Sequence, residues 1–366
     1  MTPLYRRIVV KVGTNVLTTA DGLLNDDVMA SLIGQIADLK ESSVEVILVS
    51  SGAVSAGRGI LKTSKLSLPR ASEASRGVAS RQVLAAVGQV ELMHRYSRLL
   101  KKHDVTCAQV LATKEDFRDR QHYLNMRDCF TALLQEKIVP VVNENDVVSV
   151  SELMFTDNDE LAALIASMVN ADALILLTSV DGIQITNPDG TSAVLRTANK
   201  ESDWKDHLRA EKSSFGRGGM QTKCRNAQRL ATLGVTTHIA KGTTPGILGT
   251  IFAGKAVGTV FPARKAKSSV KRWVAESEGA EKGVIIVNQC AREILSATDK
   301  AVSLLPVGIV GIEGEFTKGD VVRIRDDTGK DIGLGIAQYA AGTARDAMGK
   351  KGQKALVHYD YLYLFP

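Results

Sequence analysis

An apolar run, Ile138 to Val142, breaks into Asn143-Glu144-Asn145-Asp146 and then turns apolar again. Acids and amides crowded at the end of a buried strand offer partners to an ammonium, a carboxylate or an amide, although a turn would also use them. The same placement recurs along the chain. Lys11 lies near the end of the apolar run 7–12 and precedes Gly13 and Thr14. Burying a lysine is costly without an anionic partner, unless its stem snorkels to water. The small residues Ser51-Gly52-Ala53 follow the run 44–49 and let backbone N–H groups approach an anion. Asp157, Asn158 and Asp159 open a helical pattern, where they either cap the helix or organise cationic side chains near a reacting phosphate. Thr178 and Ser179 end the run 171–177 with two hydroxyls. Residues 216–223, GRGGMQTK, form a glycine-rich turn leading into a helical pattern, which suits a phosphate. Neither GxxxxGK[ST] nor a GxGxxG after the first strand occurs, so the familiar nucleotide fingerprints are excluded.

These residues need a scaffold that brings strand ends together. The runs 7–12, 44–49, 104–111, 138–142, 171–177 and 235–240 are rich in β-branched residues and nearly uninterrupted, as strands buried on both faces require. Helical patterns separate them. Residues 26–40 place Val28, Leu32, Ile33, Ile36 and Leu39 on one face, and residues 82–100 do so with Val83, Val87, Val90, Met93 and Leu100. The alternation predicts an α/β fold, an open, mainly parallel sheet sandwiched by helices, with ligands beyond the carboxyl ends of the strands. Residues 62–81 are polar, Ser-rich and charged and read as a surface loop. The pattern changes near residue 262. Residues 1–262 read as the first domain, 263–275 as a basic linker, and 276–366 as a small, mostly-β domain with strands near 283–287, 307–312, 320–324 and 332–338.

The chain has 366 residues, enough for two domains. Its net charge of +6 is modest and suits small anionic ligands without demanding nucleic acid. Cys107, Cys129, Cys224 and Cys290 form no CxxC pair, which fits reduced thiols in a cytoplasmic protein and no protein metal site. The N-terminal segment reads as a strand, not a signal peptide, and no run reaches the ~20 apolar residues of a membrane span.

In order, VVKVGTNVL, SSGAVSAGR, LAAVGQ, DRQHYLNMRD, VPVVNENDVV, DND, LLT and GRGGMQTK resemble the amino acid kinase family. NENDVV is most similar to the branch whose members phosphorylate L-glutamate. SLLPVGI (303–309) and FTKGDVVRI (316–324) resemble the PUA domain that many bacterial members of this branch carry.

The resemblance implies an amino acid kinase catalytic domain over 1–262 and a PUA-like domain over 276–366. It implies transfer of the γ-phosphoryl of ATP to the γ-carboxylate of L-glutamate, the first step of proline biosynthesis, with Mg²⁺ on the nucleotide. Lys11 and Lys223 would contact the phosphates, and Asp159 would orient both lysines. Ser51, Gly52, Ala53, Asn143, Asn145, Asp146 and Asn158 would bind glutamate. Gly13, Thr178, Ser179, Arg217, Gly218, Gly219, Met220, Gln221 and Thr222 would join the lysines around the nucleotide. Ser179 stands where the family commonly has Asp, and Arg217 and Gln221 replace small hydroxyl residues. Proline is the implied feedback inhibitor, a homo-oligomer the implied assembly, and glutamyl-phosphate reductase the recipient of the product. Two alternatives stand beside this reading: another member of the same family, and an RNA-binding protein acting through the PUA-like domain and the basic residues Arg264, Lys265, Lys267, Lys271 and Arg272.

Overall fold

The computed structural model describes residues 3–63, 76–148, 155, 157–186, 190–210, 219–264, 268–296 and 302–365. The chain divides into two compact units, Met1–Ala266 and Lys267–Pro366.

In the first unit the strands are β1 (Arg7–Val12), β2 (Glu45–Ser50), β3 (Cys107–Ala112), β4 (Val139–Glu144), β5 (Ala173–Thr178), β6 (Gln184–Thr186), β7 (Ser192–Val194), β8 (Thr236–Lys241) and β9 (Thr259–Phe261). All but β6 and β7, which pair as a hairpin, form one seven-stranded sheet in the order β3-β4-β2-β1-β5-β8-β9. Every pairing in that sheet is parallel except β8 with β9. The helices are α1 (Thr14–Leu17), α2 (Asp26–Glu41), α3 (Ala53–Thr63), α4 (Arg76–Lys101), α5 (Lys114–Arg118), α6 (Arg120–Gln135), α7 (Asn158–Met168), α8 (Met220–Thr232) and α9 (Ile247–Phe252).

Strand alternation decides which side chains meet which helices. On β1, Ile8, Val10 and Val12 join one apolar cluster with Met29, Leu32, Ile33 and Ile36 of α2, Leu92 and Tyr96 of α4, and Ile247 and Ile251 of α9. Val9 and Lys11 therefore face the other side, where α7 packs on β1 and against α8. A single-residue change of register would send Lys11 into the apolar cluster.

The apolar face of α4 is in part the one read from the sequence: Leu100 is buried and Met93 packs against the apolar cluster, but Val90 is 73% exposed, and Leu84, Ala85, Leu92, Tyr96 and Leu99 are buried as well. The helix also makes a close crossing. A Cβ placed on Gly88 would overlap the Ala53 carbonyl oxygen, and one on Gly57 would overlap that of Leu84, so α3 and α4 touch backbone to backbone through two glycines. Residues 76–81, the end of the stretch read as a loop, are the first turns of α4; residues 64–75 of that stretch lie outside the described residues.

In the second unit, β10 (Gly283–Val287), β11 (Ile309–Gly314), β12 (Val321–Asp326), β13 (Asp331–Ala337) and β14 (Val357–Leu364) form a five-stranded sheet in the order β11-β10-β12-β13-β14. Its helices are α10 (Ser269–Glu276), α11 (Gln289–Ser296) and α12 (Ala341–Ala347). Much of the stretch read as a linker is thus α10, capped by Ser268 and burying Trp273, Val274 and Ala275. Among the described residues no helix is long and apolar enough to cross a membrane.

Replacing Gly88 with Ala tests the crossing. The gain in helix propensity is about 1 kcal/mol, whereas forcing apart two backbones costs about 1–3 kcal/mol or more. Gly88→Ala should therefore lower the thermal midpoint; an unchanged or higher midpoint would contradict the backbone contact.

Candidate active site

Three charged residues converge on the face of the sheet opposite the α2–α4 cluster. Lys11 lies opposite Val49 of β2 and Leu176 of β5, deep in the parallel sheet. Its Nζ is 2.5 Å from Asp159 Oδ1, and Lys223 Nζ is 2.5 Å from Asp159 Oδ2. Asp159 is fully buried and Lys11 nearly so. Asp159 sits in the first turn of α7 and Lys223 in the first turn of α8, so one carboxylate braces ammonium groups delivered by a strand and a second helix. Burial by itself would raise the Asp159 carboxyl, but the two ammonium charges outweigh it and hold the group down at about 2.

Asp157 caps α7, its Oδ1 accepting from the N–H groups of Asp159 and Glu160 at 2.9 and 3.1 Å. Its Oδ2 is buried without a hydrogen-bond partner among the described residues. Burial, and then the neighbouring Asp159 charge, push this carboxyl up to about 6, against the pull of Lys223 and Lys11. Both readings of Asp157-Asn158-Asp159 thus hold together: Asp157 caps the helix, and Asp159 binds the cations.

Beside this triad lies a cavity of about 250 Å³, lined in part by Ser51, Gly52, Ala53, Asn143, Asp146 and Asn158. The Asn143-Glu144 break is explained here. Both residues still belong to β4, and both are buried. Asn158 Nδ2 donates to Asn143 Oδ1 and to Ser51 Oγ, each at 2.9 Å, and Asn143 Nδ2 donates to Gln89 Oε1 at 3.0 Å. Glu144 Oε1 accepts from the Phe155 N–H at 3.1 Å. Gly52 has a φ of 111° and opens onto α3 with no side chain in the way. Asn145 lines a neighbouring cavity, together with Glu144 and Asp146, which line both.

The remaining expected residues spread around the strand ends. Gly13 donates its N–H to the Leu177 carbonyl, and a Cβ on it would stand 3.7 Å from Lys11 Nζ. The Thr178 hydroxyl donates to the Val180 carbonyl within its own turn, and Ser179 is exposed. Gly219 is the N-cap of α8; Met220, Gln221 and Thr222 lead its first turn. Arg217 and Gly218 lie outside the described residues. Cys224, next to Lys223, is buried, and that burial pushes its thiol up to about 12, far from a reactive thiolate. Among the described residues, no group of three His, Cys, Asp or Glu side chains gathers as a metal cage.

Sequence reading missed Arg81. Its Nη2 donates to Asp146 Oδ1 at 3.0 Å, and it lines the cavity. It sits in a charged, Ser-rich stretch with no apolar periodicity, so nothing in the chain marked it.

Known proteins share this architecture. A model of the amino acid kinase family matches residues 6–241, and one of the PUA domain matches residues 283–359. A glutamate 5-kinase of Chlorobaculum tepidum is 56% identical over 364 residues, covering 100% of this chain and 99% of that protein. A glutamate 5-kinase of Bacteroides thetaiotaomicron is 49% identical, covering 98% of this chain and 99% of its own length. Among solved structures, carbamate kinase from Giardia lamblia bound to AMP-PNP shares the fold at a TM-score of 0.53 and 17% identity, over 71% of this chain and 99% of that one. The chain belongs to the amino acid kinase family and, within it, to the glutamate 5-kinases.

The two carboxylates titrate in opposite senses. Asp159 ionises more readily folded than at its ordinary 3.8, so it stabilises the fold above that pH and loses this contribution as pH falls toward 2. Asp157 holds its proton more tightly folded, so its ionisation costs stability as pH rises from about 4 through 6. Asn at position 157 keeps the cap without the charge. Asp157→Asn should leave the melting temperature near the parent value at pH 4 and raise it at pH 8; an equal effect at both values would refute the burial of that charge.

Proposed function

We propose that this chain transfers the γ-phosphoryl group of ATP to the γ-carboxylate of L-glutamate, giving L-glutamyl 5-phosphate and ADP. The observation that carries the reading is the Lys11–Asp159–Lys223 bridge beside a polar cavity at the carboxyl ends of the strands. A γ-carboxylate oxygen forms a bond to the γ-phosphorus while the bond to the β–γ bridging oxygen breaks, and ADP leaves with that electron pair. No proton moves, because the carboxylate is ionised at neutral pH; this accounts for a site that needs no histidine or cysteine base. Two anions must approach, and the transferred group carries spread negative charge. Lys11 and Lys223 neutralise it, and Asp159 holds both ammonium groups where that charge develops.

Thr178, Ser179 and the segment from Gly219 to Lys223 are assigned to the nucleotide. Ser51, Gly52, Ala53, Asn143, Asp146 and Asn158 are assigned to glutamate, with Asp146 as partner of its α-ammonium. Mg²⁺ would add charge neutralisation on the ATP phosphates, and the buried Asp157 Oδ2 would accept from a water on that metal. Proline carries the same α-ammonium and α-carboxylate and would compete for the cavity as feedback inhibitor. The acyl phosphate would pass to a reductase.

The test is an assay with ATP, Mg²⁺, L-glutamate and hydroxylamine, which traps the acyl phosphate as a hydroxamate, run with and without proline. Lys11→Ala and Lys223→Ala should each lower kcat by about 10²–10³-fold. Asp146→Ala should raise the KM for glutamate steeply and leave that for ATP nearly unchanged. Near-normal turnover in either lysine variant would remove its catalytic role.

A further inference from the structure

Arg81 takes no part in the phosphoryl transfer, yet it lines the same cavity. We infer that Arg81 is a specificity-determining residue that binds the α-carboxylate of the amino-acid substrate, and that its ion pair with Asp146 is the pair the substrate splits; the inference rests on the glutamate reading.

Substrate chemistry sets the requirement. An amino acid carries its α-ammonium and α-carboxylate on one carbon, so a site that reads both needs an acid and a base side by side. Arg81 and Asp146 are such a pair, with Nη2 and Oδ1 3.0 Å apart. Among the described lining residues Arg81 is the cationic side chain, facing the acids Glu144, Asp146 and Asp157. Glu144 is committed to the Phe155 N–H and Asp157 to the cap of α7, which leaves Asp146 for the ammonium. An anionic substrate entering a cavity with three acids needs a compensating cation there. Arg81 also holds a donor in reserve: its Nε is buried with no hydrogen-bond partner among the described residues. Nε and an Nη of one guanidinium form a fork that matches a carboxylate with two parallel bonds. Splitting the resting pair then replaces one ion pair by two, Asp146 with the α-ammonium and Arg81 with the α-carboxylate.

The experiment compares L-glutamate with 4-aminobutyrate, which lacks the α-carboxylate but keeps the amine and the reacting carboxylate. Each is assayed by hydroxamate formation in the parent enzyme, Arg81→Gln and Arg81→Lys. Arg81→Gln should raise the KM for L-glutamate about 10–100-fold, the loss of a charged bidentate contact, with kcat and the KM for ATP nearly unchanged. The slope kcat/KM for 4-aminobutyrate should hold or rise, because Asp146 then has no resting partner to give up. Arg81→Lys, which keeps the charge without the fork, should fall between. Equal losses for both compounds would mean that Arg81 only props up Asp146 and would overturn the inference, as would an unchanged KM for L-glutamate, which would assign the α-carboxylate to the N–H groups at the start of α3. No hydroxamate from the parent enzyme with L-glutamate would overturn the proposed function itself, and this inference with it.

Discussion

One buried carboxylate sets the arrangement. Asp159 is fully buried, with two ammonium groups against its two oxygens. Such a group is tolerated only when both partners arrive, because an unpaired buried charge is far more costly than a paired one. The three chain segments that supply it, β1, α7 and α8, are therefore held in mutual register by electrostatics as well as by packing. Removing Asp159 would leave two cations facing each other.

The sheet makes this convergence possible. Parallel strands end on the same edge, and helices that follow them begin there, so helix starts and strand ends share one rim. Alternation on β1 then sorts its residues: Ile8, Val10 and Val12 seal the apolar cluster, while Val9 and Lys11 look toward α7. The polar interruption after Val142 follows the same logic. Asn143 and Glu144 remain in β4, their side chains engaged with Asn158, Gln89 and the Phe155 N–H. The cavity is therefore walled in part by regular secondary structure, Asn143 and Glu144 of β4 among it.

The sequence disclosed the features that depend on local chemistry. Apolar runs marked β1, β2, β4, β5 and β8, and the chemistry after each run pointed to Lys11, Asn143 and Asp159. Features set by long-range contact stayed hidden. Val90 fits the helical period yet is exposed, while Gly88 on the same helix meets the backbone of α3. Arg81 gains its meaning from Asp146, 65 residues away. β14 lies outside the strands expected from the sequence, although Tyr359, Tyr361 and Tyr363 alternate along it and Gly349 and Gly352 mark a turn before it.

The glycine crossing of α3 and α4 reaches beyond stability. Ala53, Val54 and Ser55 at the head of α3 form one wall of the cavity, and Arg81 near the head of α4 stands on another. The spacing of these two heads is fixed where main chain rests on main chain, and main chain has no rotamers with which to yield. Widening the cavity between these two heads would mean parting two main chains, a change that no rotamer adjustment can supply.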